Sequence, residues 1–208
     1  MISARAALQA LRDGNRRFVS ESGIQAGASN ARRRALLAGQ EPLAIILGCS
    51  DARVPAEIVF DQGLGDLFVI RVAGNIVAPS QVGSVEFAAE AFGTRLVVVL
   101  GHSRCGAIQA TLQQLLRPSR EQSRNLSSIV GRIRPAVAGL LERSSASDPA
   151  TLEQQAVRAN IRMSADQLRH GSEVLEQLIH SDGLLVVGAE YSLESGVVDF
   201  FDGLPPAA

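Results

Sequence analysis

Four short apolar runs mark the middle and end of the chain: Leu43 to Gly48 (LAIILG), Asp66 to Val72 (DLFVIRV), Arg95 to Gly101 (RLVVVLG) and Leu184 to Tyr191 (LLVVGAEY). Each is too short and too rich in Val, Ile and Leu for a free-standing helix, so strands buried on both faces are expected. Helical patterns separate them: a turn opened by Pro55, the stretch Ser80 to Phe92, the run Ala107 to Leu116, and a long region from Asn125 to His180. Pro55 suits a helix's first turn, where its missing N–H costs nothing. Strand alternating with helix predicts an α/β fold whose mostly parallel central sheet of four strands is flanked by helices, because parallel neighbours need crossover connections. The run Ser195 to Phe201 follows Tyr191 too closely for a crossover and is expected to turn back as an antiparallel edge strand. The first forty residues read as two helices, with Leu8, Leu11, Asn15 and Phe18 on one face and a Gly/Ser/Asn-rich break at Gly27 to Asn30. This N-terminal helical arm, residues 1–40, is expected to pack on a neighbouring subunit rather than on its own core. Arg117 to Asn125 and Ser144 to Pro149 read as polar loops, no internal repeat is visible, and residues 1–208 read as one domain.

Composition narrows the function. With 46% hydrophobic residues in 208, the chain can bury one sizeable core and is short for two. Twenty basic against twenty-one acidic side chains leave no excess field to recruit nucleic acid or an anionic membrane, which points to a small partner. The clusters Arg32 to Arg34 and Arg117 to Arg134 lie in helix-like sequence and read as solvated faces. No apolar run reaches membrane-span length, and the start MISARAALQALRDGNRRF lacks the apolar core of a secretory signal, so a cytoplasmic protein is expected. Two cysteines make no disulfide scaffold, and a reducing compartment leaves both thiols available for metal or chemistry.

The chemistry gathers at two strand ends. LAIILG runs into Cys49-Ser50-Asp51-Ala52-Arg53, and RLVVVLG into His102-Ser103-Arg104-Cys105-Gly106. Carboxyl ends of parallel strands open onto the ligand crevice, and neighbouring strands lie about 5 Å apart, so two thiols and an imidazole would meet around one ion. Zinc accepts that soft set, and three protein ligands leave a fourth position where a water can be brought to hydroxide near neutral pH. Two thiolates cancel the formal charge of zinc, so the bound water acidifies less readily than beside three imidazoles and needs help. Asp51 is placed either to accept a hydrogen bond from zinc-bound hydroxide or to bind zinc itself and close the site. Arg53 would hold it ionised and aim its second oxygen. Singly, a buried Cys is a small apolar packer, a lone His a structural residue and an Asp near an Arg a surface pair. Together the bland reading fails, because both cysteines of the chain and one of its three histidines fall at strand ends. His170 and His180 lie on polar helical sequence and read as surface residues, with a proton-shuttle role left open.

CSDAR at Cys49 to Arg53 followed by GHSRCG at Gly101 to Gly106 resembles the paired signature of β-class carbonic anhydrases. The likeness runs from GNRRF at Gly14 through GDLFVIRVAGN at Gly65 and SVEFAAE at Ser84 to GAEYSLESG, covering most of the chain. The resemblance implies reversible hydration of CO2 to bicarbonate, one zinc on Cys49, His102 and Cys105, and Asp51 with Arg53 as catalytic dyad. It further implies that Gln40 hydrogen-bonds bicarbonate near the metal, that Phe68 and Ala73 line an apolar CO2 pocket, and that Gly106 allows close approach to the site. A homodimer with active sites near the interface, paired or not into a tetramer, is implied as well. Ile46 stands where members with allosteric bicarbonate control carry tryptophan, although Arg71 and Tyr191 match the rest of that site; CSDSR is CSDAR here, and an RN pair is Arg71-Val72. Two rival readings share the ligand set: a zinc hydrolase of carbon disulfide or carbonyl sulfide, and a non-catalytic zinc-binding or redox-sensing protein.

Overall fold

A computed structural model describes residues 2–23, 29–118, 123–143 and 148–206. The apolar runs form one five-stranded sheet in the order β2-β1-β3-β4-β5, with β1 at Ala44–Gly48, β2 at Leu67–Arg71, β3 at Leu96–His102, β4 at Leu185–Tyr191 and β5 at Val198–Asp202. The first four pair in parallel, and β5 returns antiparallel to β4. Every residue of β1 and β3 is buried, which is why their sequences show no polar alternation.

The connections leave β1 and β3 in opposite directions. From β1 the chain turns to β2 through the short helix α3 (Ala56–Val59); from β3 it goes the other way to β4 through α5 (Gly106–Leu116), α6 (Arg124–Arg143), α7 (Pro149–His170) and α8 (Glu173–Ser181). Helix α4 (Pro79–Ala91) carries the chain from β2 back to β3. Parallel crossovers are right-handed, so a reversal of direction puts the connecting helices on opposite faces and opens a crevice between the two carboxyl ends. Accordingly α4 to α8 bury their apolar stripes on the face carrying Ile45, Leu47, Val97 and Val99.

The opposite face, carrying Ile46, Val98 and Leu100, would be covered only by the four-residue α3. Helix α1 (Ala4–Val19) fills it with Ala4, Ala7, Leu8 and Leu11. This corrects the expectation that the N-terminal arm packs on a neighbouring subunit: the sheet has a bare apolar face on its own chain, and α1 is the helix that reaches it. Gly14 permits close contact, since a Cβ there would lie 1.8 Å from the Phe60 carbonyl oxygen. Beside it the buried Asn15 donates to the carbonyls of Val59 (3.1 Å) and Gly196 (2.9 Å) and accepts from the Val198 amide (2.8 Å). The second helix of the arm, α2 (Asn30–Ala35), buries nothing. Gly27 and the centres of the expected loops around residues 119–122 and 144–147 lie outside the described residues.

Candidate metal centre

Cys49 follows β1 directly, His102 is the last residue of β3, and Cys105 caps the amino end of α5. Because Gly48 pairs with Leu100, the adjoining loops emerge side by side at the crevice. The two Sγ atoms are 4.0 Å apart, and with a ring nitrogen of His102 the three ligand atoms lie within 4.8 Å of one another. All three side chains are buried, His102 completely.

The imidazole is oriented for ligation. Its Nδ1 lies 2.9 Å from the Ser103 carbonyl oxygen, and a carbonyl only accepts, so Nδ1 carries the proton and Nε2 turns toward the sulfurs. That Nε2 is buried and finds no hydrogen-bond partner among the described residues. A buried nitrogen left without a partner is costly unless something outside the chain satisfies it, and a metal ion fits beside two thiols. Charge points the same way. The Cys105 thiol beside it, with His102 and the Gly74 and Asp51 backbone, lowers the Cys49 pKa to about 4 against the effect of burial. The Cys49 charge and burial then push Cys105 up. Burial opposes charge on His102, yet the facing Cys49 sulfur outweighs it and raises its pKa. A cluster that holds one thiolate ready and keeps its remaining protons on the neighbouring thiol and imidazole is suited to positive charge, which a divalent cation supplies.

Asp51 sits at the mouth. Arg53 donates to it through Nε (2.9 Å to Oδ1), an Nη (2.8 Å to Oδ2) and its backbone amide (3.0 Å to Oδ1). This grip holds the Asp51 carboxyl far below the usual carboxylate range. Its Oδ2 remains 3.9 Å from His102 Nε2, near the ligands without being among them. Arg53 also donates to the Arg104 carbonyl (3.2 Å), which ties the two loops together.

The remaining expected site residues divide. Ala73 lies in the turn whose next residue, Gly74, donates its amide to Cys49 Sγ at 3.4 Å. Phe68, paired with Ile45 near the amino end of β2, packs against Phe87 and Phe92 with ring centroids 6.2 and 6.0 Å away. Gln40 is exposed and precedes the amino end of β1, the end opposite Cys49, so this chain does not bring it to the cluster. Gly106 is exposed, and a Cβ there would meet no heavy atom within 4 Å. The amino end of α5 thus starts in open space, and nothing in the chain crowds it. His170 is exposed beside Asp166, and His180 lies near the Glu176 carbonyl on the helix preceding the amino end of β4, away from the cluster.

Several residues at the centre carry no signature of their own. Arg71 donates to the carbonyls of Cys49 (2.9 Å) and Asp51 (2.6 Å), clamping the loop between ligand and dyad. Glu194 accepts from Ser103 Oγ (2.8 Å) and Arg104 Nε (2.7 Å), the two residues between His102 and Cys105. Asn160 donates to the Gly74 carbonyl at 2.8 Å. Arg71 was visible as a match to the family's bicarbonate-control site, not as a clamp on the Cys49 loop, and Asn160 only as a polar residue in a long helical stretch. Among the described residues, no helix is long and apolar enough to cross a membrane.

Comparison with known proteins gives one answer. A family model described as carbonic anhydrase matches residues 44–198. Carbonic anhydrase 2 of Mycobacterium tuberculosis is 38% identical over 191 residues, which are 92% of this chain and 89% of that protein. The carbonic anhydrase of Mycolicibacterium smegmatis is 38% identical over 194 residues, 93% and 91% of the two chains. The solved β-carbonic anhydrase CcaA superposes with a TM-score of 0.74 at 27% identity, over 94% of this chain and 95% of that one. The β-carbonic anhydrase CafA of Aspergillus fumigatus gives 0.75 at 23% identity, over 97% and 92%, a likeness of fold.

Proposed function

This chain belongs to the β-class carbonic anhydrases, a family of enzymes, and from that premise we propose that it interconverts CO2 and bicarbonate at one zinc ion per subunit, held by Cys49, His102 and Cys105. The observation that carries the reading is the buried, unpartnered His102 Nε2 facing two sulfurs 4.0 Å apart. Two sulfurs and a nitrogen favour zinc over hard cations such as magnesium or calcium. When bound, zinc supplies a Lewis acid that brings the acidity of water toward neutral pH.

The chain's own residues do the rest. Asp51, kept ionised by Arg53, would accept a hydrogen bond from the attacking hydroxyl, and so turn a lone pair of that oxygen toward the carbon of CO2. Both Asp51 oxygens are engaged by Arg53, which supports an open resting site. Closure, with Asp51 as a fourth ligand, would cost that bidentate pair. Ala73 and Gly106, with Phe68 supplied by a second copy, form the apolar side of the substrate pocket, suited to an uncharged substrate and to release of a charged product. Gln40 stands at the wrong end of its own β1, so it serves the site of a second copy. The protein is therefore a homo-oligomer, and Phe87, 55% exposed beside Phe68 and Phe92 near the β2 edge, supplies apolar surface for that contact. The Sordaria macrospora β-carbonic anhydrases that share this fold are described as tetrameric. We place the protein in the cytoplasm, where reducing conditions keep both cysteines as ligands.

Stopped-flow CO2 hydration across the neutral range, with zinc assayed on the same sample and Asp51→Ala alongside, tests the reading. Rapid zinc-dependent hydration that falls at least about 100-fold in the variant, zinc content unchanged, is expected. Zinc-replete wild type that ignores CO2 but hydrolyses carbonyl sulfide or carbon disulfide would move the assignment to that chemistry. Zinc-replete protein inert to all three would leave a binding or redox-sensing role.

A further inference from the structure

Two thiolate ligands donate much negative charge to a metal ion, and the Asp51–Arg53 pair addresses orientation rather than that charge. Behind Cys49 the fold holds an arrangement that does address it. The Gly74 amide donates to Cys49 Sγ at 3.4 Å from a turn in which Gly74 adopts φ of +71°. A Cβ on Gly74 would meet Ile133 Cδ1 at 2.8 Å and the Ala107 Cβ at 3.0 Å, so the turn is wedged against α5 and α6. From α7, Asn160 Nδ2 reaches the Gly74 carbonyl at 2.8 Å. Asn160 is 1% exposed, on the stripe where Ala156, Val157, Ile161 and Leu168 pack on the sheet, and its Oδ1 has no hydrogen-bond partner among the described residues. An apolar side chain would avoid that unsatisfied oxygen, which makes the bond to Gly74 the one thing the amide contributes.

We propose that Asn160 is a positioning residue for the metal centre: by fixing the Gly74 turn it aims the Gly74 N–H at Cys49 Sγ, and that hydrogen bond draws charge from the sulfur and leaves the ion a stronger Lewis acid. The inference rests on Cys49 being a ligand, as in the function proposed above. Hydrogen bonds around a ligand tune both its hold on the metal and the metal's chemistry, typically by about 10- to 100-fold.

Cobalt(II) in place of zinc provides the test, because a bound thiolate gives a sulfur-to-cobalt charge-transfer absorption whose energy falls as the sulfur becomes richer in charge. Asn160→Leu, close in shape but without a donor, is expected to shift that band to lower energy and to weaken metal affinity about 10-fold in competition with a chelator. Thr94→Val is the control for mere destabilisation. It removes a buried hydrogen bond, Thr94 Oγ1 to the Pro42 carbonyl at 2.8 Å, ahead of the amino end of β3, and should lower Tm without moving the band. If Asn160→Leu does not fold, Asn160→Ser is read instead, since its hydroxyl is too short to reach Gly74. An unmoved band overturns the proposal, however far affinity or Tm falls. The band reports thiolate ligation by Cys49 and Cys105 rather than CO2 chemistry. A wild type that shows it yet fails to hydrate CO2 sinks the proposed function alone, and the shift in the variant still decides this inference. A wild type without the band overturns both.

Discussion

The Arg53 guanidinium holds Asp51 by a planar fork that lysine cannot reproduce, because an ammonium is a single charged point. Arg53→Lys should therefore keep its zinc while kcat falls by about 10- to 100-fold, read by stopped-flow alongside metal analysis. The same grip fixes a pH dependence. Asp51 has a folded pKa below its unfolded one, so its contribution to stability is complete above the ordinary carboxylate value of about 3.9 and is lost as pH falls through the lower folded value. Melting curves of wild type and Asp51→Asn should stay separated from neutral pH down to about 4 and converge only in stronger acid. The thiols differ as sharply. With Cys49 lowered to about 4 and Cys105 pushed up, metal-stripped protein should be alkylated first at Cys49, at a rate nearly flat from mildly acidic to neutral pH, where an ordinary thiol's rate climbs about tenfold per unit. Mass spectrometry of the alkylated peptides reads this directly, and bound metal should protect both sites.

Among the elements, α1 shows how a helix can be recognised while its neighbour is not. Leu8, Leu11 and Asn15 share a face by spacing alone, so an amphipathic helix was legible. What that face covers depended on the crossovers leaving half the sheet bare, which no local pattern states. Asn15 is the tie: its amide serves the α3 carbonyl of Val59, the turn at Gly196 and the start of β5 at once. Asn15→Ala leaves those backbone groups without their partner and should cost about 2 to 4 kcal/mol in chemical denaturation, with the metal centre's cobalt spectrum unaltered. The loop ends of β1 and β3 behave in the opposite way. Their residues were legible as chemistry from sequence, because cysteine and histidine at strand ends have few other uses, and the parallel pairing of β1 with β3 brings them together.

Across the whole molecule, the site lies where the chain reverses direction between β1 and β3, and half of its expected pocket points away from it. Gln40 and Phe68 lie toward the β2 side and the amino end of β1, and a second copy is what would carry them to a metal centre. Phe87→Glu puts a charge into the aromatic group beside Phe68 and Phe92. It should shift the oligomer toward smaller species by analytical ultracentrifugation and lower kcat, with zinc retained. Gln40→Ala, in contrast, should lower kcat about 10-fold and leave the assembly intact. An active monomer produced by Phe87→Glu would remove Gln40 from the mechanism.

The sequence by itself determined what local chemistry can determine: strands from apolar runs, though β2 at the sheet edge is only half-buried, helices from amphipathic spacing, and a soft sulfur-and-nitrogen cluster from reactive residues at two strand ends. Tertiary structure alone decided the relations among them. Which face α1 would cover, which carbonyls Arg71 would clamp, that Gly106 stands in open space, and that Asn160 reaches from α7 to the turn beneath Cys49 are all long-range facts. The physical reason is that a side chain's type fixes which partners it can accept, while the crossing of strands and helices fixes which partners are within a few ångströms. Asn160 and Gly74 are 86 positions apart in the chain and 2.8 Å apart in the fold.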